Sequence, residues 1–251
     1  YNGIVKTHRM YFKNLANISS VCELDNAQSA HIATVLRLRE GDEIELFDGH
    51  GLSCKANIAV SSKRNAQLEL IPSSKETQNP SNQLVGVLPY IKKDSMSFMV
   101  QKLTELGVTQ MIFFKPDRLD QSLVKKDLSK LKDKLQEVAI GACKQSGINF
   151  LPKLKHCDDL AEVFNNSSIT ASNNFACFFD LEATNHLSSN DLTNKDEYIF
   201  ITGPESGFSD EERFTMVEKN ISVKSLGKNI LRAETAPIIS ATLIQSFVGN
   251  I

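Results

Sequence analysis

The chain has 251 residues, 41% of them hydrophobic and 23% charged, with 28 basic against 30 acidic side chains and a net charge of −2. That composition excludes intrinsic disorder and low-complexity filament, and it argues against a protein that coats nucleic acid by bulk electrostatics while leaving a local basic patch open. At roughly 100–200 residues per domain the length fits one large or two modest domains, each able to bury a core without a disulfide or metal staple.

The opening Tyr1–His8 is polar, lacks the apolar stretch of a signal peptide and is set aside from the fold reading. Asp25, with Gln28 three residues on, reads as a capping box, and Ile32, Val35 and Leu36 supply the apolar face of the helix it starts. Glu43–Phe47 alternates polar residues with Ile44 and Leu46, the period of a half-buried strand. Asp48-Gly49-His50-Gly51 follows as a hairpin-type turn, and Leu52–Val60 and Ala66–Ile71 continue as strands. One helix within a strand-rich module of this size predicts a small barrel. The polar, proline-flanked stretch Pro72–Gln83 reads as a linker.

Beyond it strands and helices alternate. Apolar runs at Leu84–Leu88, Gln110–Phe114, Ala176–Asp180, Tyr198–Thr202 and Ser222–Leu226 predict strands. Between and after them Ser95–Leu106, Ser122–Ser146, Ser209–Lys219 and Glu234–Val248 predict helices. This rhythm implies an α/β domain with a parallel sheet covered by helices. The five cysteines form no C-x-x-C pair and the five histidines show no metal spacing, so no metal site is expected. Dispersed thiols suit a reducing cytoplasm, and no apolar run is long enough to cross a bilayer.

In open α/β sheets ligands sit beyond the carboxyl ends of strands, and two post-strand loops have unusual sequences. Thr202-Gly203-Pro204-Glu205-Ser206-Gly207-Phe208 leads into Ser209-Asp210-Glu211-Glu212, an S-x-x-E capping box. Its glycines let a ligand approach backbone, although a tight strand-to-helix connection has the same look. Leu226-Gly227-Lys228-Asn229-Ile230-Leu231-Arg232-Ala233-Glu234-Thr235-Ala236-Pro237 mixes apolar residues with Asn229 and Arg232, which suits a flat apolar ligand held by backbone hydrogen bonds. Arg232 needs an acid partner or an anionic ligand. No nucleophile elbow, phosphate loop or dinucleotide fingerprint is present. The run Lys115–Lys134 is rich in lysine, and it is either a solvated helix face or an edge that touches RNA phosphates through Arg118, Lys125, Lys126 and Lys130.

At the two loops the chain resembles a known family. Ile201–Ser209 resembles the GPEGGFS signature of the RsmE-type 16S ribosomal RNA (uracil-N3)-methyltransferases, and Leu226–Ala236 resembles the same family's LG-x-x-ILR-x-ETA. Lys102-Leu103-Thr104-Glu105-Leu106-Gly107-Val108 and Ala142-Cys143-Lys144-Gln145-Ser146-Gly147 are similar to two further family segments, and Arg9-Met10-Tyr11-Phe12 to its start. The resemblance implies an RNA-binding PUA-like β-barrel over residues 1–75, a linker at 76–83, and a SPOUT methyltransferase domain with a trefoil knot over 84–251. It further implies a homodimer that uses S-adenosyl-L-methionine and methylates N3 of a uridine in 16S rRNA of the small subunit. Another base, another RNA, or a non-catalytic RNA-binding module are the competing readings. Carried over, Leu181, Thr202, Gly203, Pro204, Glu205, Gly207, Leu226, Gly227, Asn229, Ile230, Leu231 and Arg232 would bind the cofactor, with Arg232 and Glu205 as catalytic candidates. Ser206 stands where the signature has Gly, Lys144 where a related segment has Glu, and Ile148 where it has Arg.

Overall fold

The computed structural model describes residues 8–125, 127–165 and 169–251, with only the backbone at residue 129. The described residues fall into two compact units, 8–79 with 143–151, and 80–142 with 152–251.

In the first unit β1 (His8–Tyr11), β2 (Val21–Glu23), β3 (Glu43–Phe47), β4 (Leu52–Val60), β5 (Gln67–Leu70) and β6 (Glu76–Thr77) form one barrel-like sheet in the order β1-β3-β4-β5-β2, with β6 paired to β4. Only the β1–β3 pair is parallel. Alternation drives the packing: Ile44 and Leu46 of β3, Cys54, Ala56 and Ile58 of β4, and Leu68 and Leu70 of β5 all turn inward. The helix α1 (Asn26–Ala30) starts at the expected box, since Asp25 Oδ1 accepts from the Gln28 amide at 2.7 Å and Gln28 Oε1 from the Asp25 amide at 3.4 Å. It then widens into a π-helical turn, His31–Leu36. The wider turn corrects the predicted apolar face: Ile32 is buried, but Val35 is carried round to 65% exposure.

Residues 143–151 return to this unit. Leu151 N donates to Gly49 O, and Gly51 N to Asn149 O. Gly51 has φ +109°, and a Cβ there would lie 2.3 Å from Gln78 O, so the turn admits only glycine. Arg9 is nearly buried. It pairs with Glu45 at 3.0 Å, donates to Cys143 O at 2.6 Å and to Asn149 Oδ1, and lies 4.7 Å from the Phe47 ring centroid.

The second unit holds β7 (Gln83–Pro89), α2 (Lys93–Glu105), β8 (Gln110–Phe114), α3 (Leu131–Ser146, as far as Ala142), β9 (Lys153–Cys157), α4 (Leu160–Asn165), β10 (Phe175–Phe179), β11 (Glu197–Ile201), α5 (Asp210–Glu218), β12 (Ser222–Lys224) and α6 (Thr235–Phe247). Its six strands are all parallel, in the order β12-β10-β11-β7-β8-β9. Helices cover a sheet whose central strands are buried without alternation, as in Leu84–Pro89 and Tyr198–Ile201. Gly86 faces Phe200 across the β7–β11 ladder, and a Cβ at Gly86 would stand 2.8 Å from the Phe200 ring.

Two predictions fail here. The expected helix Ser122–Ser146 is not helical at its start: residues 121–125 form turns, Leu128–Lys130 a short 3₁₀ turn, and α3 begins only at Leu131. Leu123 and Leu128 are buried five residues apart, a spacing that one α-helical face does not provide. The strand β9 and helix α4 were not anticipated, because β9 is an edge strand that buries only Leu154 and Cys157.

Candidate functional site

The chain order places β10 and β11 on one side of β7, and β8 and β9 on the other, so the direction of winding reverses beside β7. Beyond the carboxyl ends of such a reversal the connecting loops diverge and leave a crevice. Three loops wall it here: Phe179–Leu181 after β10, Thr202–Phe208 after β11, and Leu226–Ala233 between β12 and α6. Every residue that the resemblance assigned to a cofactor, from Leu181 through Arg232, lines this one cleft. Both catalytic candidates, Glu205 and Arg232, are among them.

Each loop is held by its own short-range chemistry. Thr202 N donates to Val87 O at 3.1 Å as the last rung beside β7, and Gly207 N to Pro204 O at 2.9 Å. Gly207 takes φ +71°, so the left-handed residue of this loop is glycine, and Ser206 keeps an ordinary negative φ. At Ser209 the capping box closes: Ser209 Oγ accepts from the Glu212 amide at 3.0 Å, and Glu212 Oε2 from the Ser209 amide at 2.8 Å. Glu212 is buried, and burial pushes its carboxyl above the usual range despite those donors. In the third loop Gly227 has φ +114°, and Ser225 Oγ accepts from its amide at 3.1 Å. The first loop is tied to α5, where Arg213 Nε lies 3.2 Å from Asp180 Oδ2 and Arg213 Nη1 3.0 Å from Glu182 Oε2.

The lining is mostly apolar, from Phe179, Leu181, Phe208, Leu226, Ile230, Leu231, Ala233 and Ala236, with a few polar groups placed among them. Leu181 is 61% and Ile230 82% exposed, so the rim shows apolar surface to solvent. Among the described residues the buried Thr202 Oγ1 has no hydrogen-bond partner, which is uncommon for a buried hydroxyl and fits a ligand atom as the missing partner. Arg232 is exposed, and among the described residues its guanidinium makes no ion pair or hydrogen bond.

Sequence reasoning missed Asp180 and Arg213. Asp180 ends an apolar run beside Leu181, a readable position, whereas Arg213 reaches the cleft from the second turn of α5, and no linear signal marks it. Of the candidate RNA contacts, Arg118, Lys125 and Lys130 are not among the residues that line the cleft. Lys125 and Lys130 are exposed, and Lys130 lies 3.5 Å from Asp127. Arg118 donates to Ser206 O at 3.0 Å, and Lys126 lies outside the described residues.

Residues 77–245 match the RNA methyltransferase domain family, and residues 24–71 match the RNA methyltransferase PUA domain. The ribosomal RNA small subunit methyltransferase E of Buchnera aphidicola (subspecies Acyrthosiphon pisum) is 26% identical over 249 residues, spanning 98% of this chain and 95% of that one. Its counterpart in Mesomycoplasma hyopneumoniae is 31% identical over 177 residues, 69% of this chain and 74% of that one. The crystal structure of the Neisseria gonorrhoeae ribosomal RNA small subunit methyltransferase E bound to S-adenosyl methionine superposes with a TM-score of 0.84 at 26% identity, covering 96% of this chain and 97% of that one.

Proposed function

The chain belongs to the ribosomal RNA small subunit methyltransferase E family of RNA methyltransferases, and from that premise we propose that it transfers a methyl group from S-adenosyl-L-methionine to N3 of a uridine in 16S rRNA of the small subunit. The observation that carries the reading is the cleft itself, in which Thr202, the glycines of two loops and Arg232 meet at the winding reversal. The residues fit the cofactor: apolar walls suit an adenine ring, and the unpartnered Thr202 hydroxyl offers a polar contact inside them. When bound, the cofactor supplies an electrophilic methyl on a positively charged sulfur.

The chain's own residues then handle the base. Uracil N3 carries a proton and is a poor nucleophile until that proton leaves. Glu205, exposed on the same loop, is the carboxylate proposed to accept it. Arg232 stays protonated at any working pH, so it cannot be the base. Its free guanidinium instead stabilises negative charge building on the uracil ring or holds the nucleotide's phosphate. The target base must be splayed from its stack to enter the cleft.

The same reading makes residues 1–75 an RNA-binding barrel, 76–83 a linker and 84–251 the catalytic domain, except that strand β6 at 76–77 and residues 143–151 pack with the barrel. It makes the working form a homodimer, acting in the cytoplasm where small subunits are built. A trefoil knot fits the path of the chain, which returns from edge strand β12 to lay α6 against α2, β7 and β11. Methyl transfer to small subunits lacking the modification, followed by mass spectrometry of the nucleosides, tests the activity. The expected product is 3-methyluridine, and its absence from subunits incubated with active, cofactor-binding protein would overturn the proposal. A methyl group on another base would assign a different target, and a protein without cofactor affinity would be an RNA-binding module.

A further inference from the structure

The loop that follows β8 bonds the cleft loop that follows β11 at two points and the start of α5 just beyond it at two more. Arg118 Nη1 donates to Ser206 O at 3.0 Å, and in return Ser206 Oγ donates to Arg118 O at 3.2 Å. One residue earlier, Ser209 Oγ donates to Asp117 Oδ2 at 2.5 Å, and the Asp117 amide to Glu212 Oε1 at 3.2 Å. These bonds bracket Ser206–Phe208, and Gly207 and Phe208 of that stretch line the cleft. We propose that Asp117 and Arg118 are positioning residues that hold the Thr202–Phe208 loop in its ligand-ready shape, so that Arg118 serves the cofactor side of the reaction rather than RNA phosphate. The inference rests on the proposed use of S-adenosyl-L-methionine.

Three features favour bracing over a purely structural bond. Arg118 is exposed, where a polar contact adds little to the stability of the fold. The loop it touches contains Gly203 and Gly207, and a glycine-bearing loop loses much conformational entropy when a ligand orders it, unless neighbours have ordered it beforehand. Ser206, which replaces the signature's Gly, supplies a hydroxyl that a glycine could not, so this chain carries one bond of the grip in its own departure from the family pattern.

Calorimetry of S-adenosyl-L-methionine binding to the full chain tests this, with Arg118→Ala, Ser206→Gly and the double variant. Arg118→Ala should weaken cofactor binding roughly fivefold, and the double variant should bind more weakly than Arg118→Ala alone, because each side chain bonds the other residue's backbone carbonyl and the two bonds are lost separately. Arg118→Lys, which keeps one donor, should recover most of the affinity. The salt dependence of RNA binding should be the same for Arg118→Ala as for the wild type. An unchanged cofactor affinity in Arg118→Ala, or a fall of about one in the slope of log K against log salt as expected of a lost phosphate contact, would overturn the inference. Failure of the wild-type protein to bind the cofactor would instead defeat the functional reading beneath it. Thermal unfolding of the same variants distinguishes a loosened loop from a damaged fold, and Ser206→Gly, restoring the signature residue, provides a second, mild variant.

Discussion

Thr202 and Arg232 show how single side chains can be tuned for a ligand at the expense of the empty protein. A buried hydroxyl without a partner costs about 1–3 kcal/mol, so Thr202→Val should leave the melting temperature unchanged or raise it. The same substitution should weaken cofactor binding by about threefold to tenfold, the value of one neutral hydrogen bond; calorimetry beside a thermal melt reads both. Arg232 is exposed and outside any core, so Arg232→Ala should keep the fold and lower turnover at least about tenfold, a change of about 1.4 kcal/mol in the barrier. Near-normal turnover of that variant would remove Arg232 from catalysis. Linear motifs pointed to Thr202–Gly207 and Leu226–Arg232 because each loop is contiguous and carries glycine, while Leu181 came only from the family resemblance. They could not reveal that Arg213 would join Asp180, since that pairing exists only after α5 has packed beside β10. Nor could they separate a phosphate-seeking Arg118 from one bonded to Ser206 O.

Secondary elements were legible where one force dominated. The central parallel strands appear as unbroken apolar runs, and α1 and α5 begin at capping boxes that side chains close as expected. Legibility failed where tertiary packing decided: the π-helical turn after Ala30 rotates Val35 outward, the start of the expected long helix breaks into turns, and β9 survives as an edge strand on β8 alone. The α5 cap carries a pH signature of its own. Burial, joined by the nearby Asp117 carboxylate, raises the Glu212 carboxyl above its ordinary value near 4.5 despite the amides donating to it. A raised carboxyl means that the folded state holds the proton more tightly. Its contribution to stability is therefore present below the unfolded value and lost as pH rises through the raised one. Glu212→Gln removes that titration, so the melting temperature of the wild type relative to the variant should fall as pH climbs from about 4.5. A constant difference between the two melting curves across acid pH would contradict this.

At the scale of the whole molecule, the near-neutral charge of −2 leaves room for a local basic stretch, since the run Lys115–Lys134 alone holds seven of the 28 basic side chains. The scattered cysteines also acquire a clear role. All five are free and buried, and burial pushes the Cys22 thiol up to about 11 and that of Cys143 up to about 12, with Cys157 and Cys177 also raised. Since the thiolate is the reactive form, the native protein should react with Ellman's reagent at fewer than one thiol over minutes, and at all five once denatured. Fast reaction of the native chain would show that the core opens readily. The division into a strand-rich part and an α/β part was legible from composition, but the return of residues 143–151 to the first unit was not. That return bears on timing. Arg9 is synthesised early and becomes nearly buried, yet its acceptors Cys143 O and Asn149 Oδ1 emerge only after the first half of the chain has left the ribosome. At roughly 5–20 residues per second, several seconds separate residue 79 from residue 151. During that interval the barrel is a nascent fold whose Arg9 has its Glu45 partner but lacks two of its later acceptors, so its maturation is completed by the arrival of a distant segment rather than by its own strands alone.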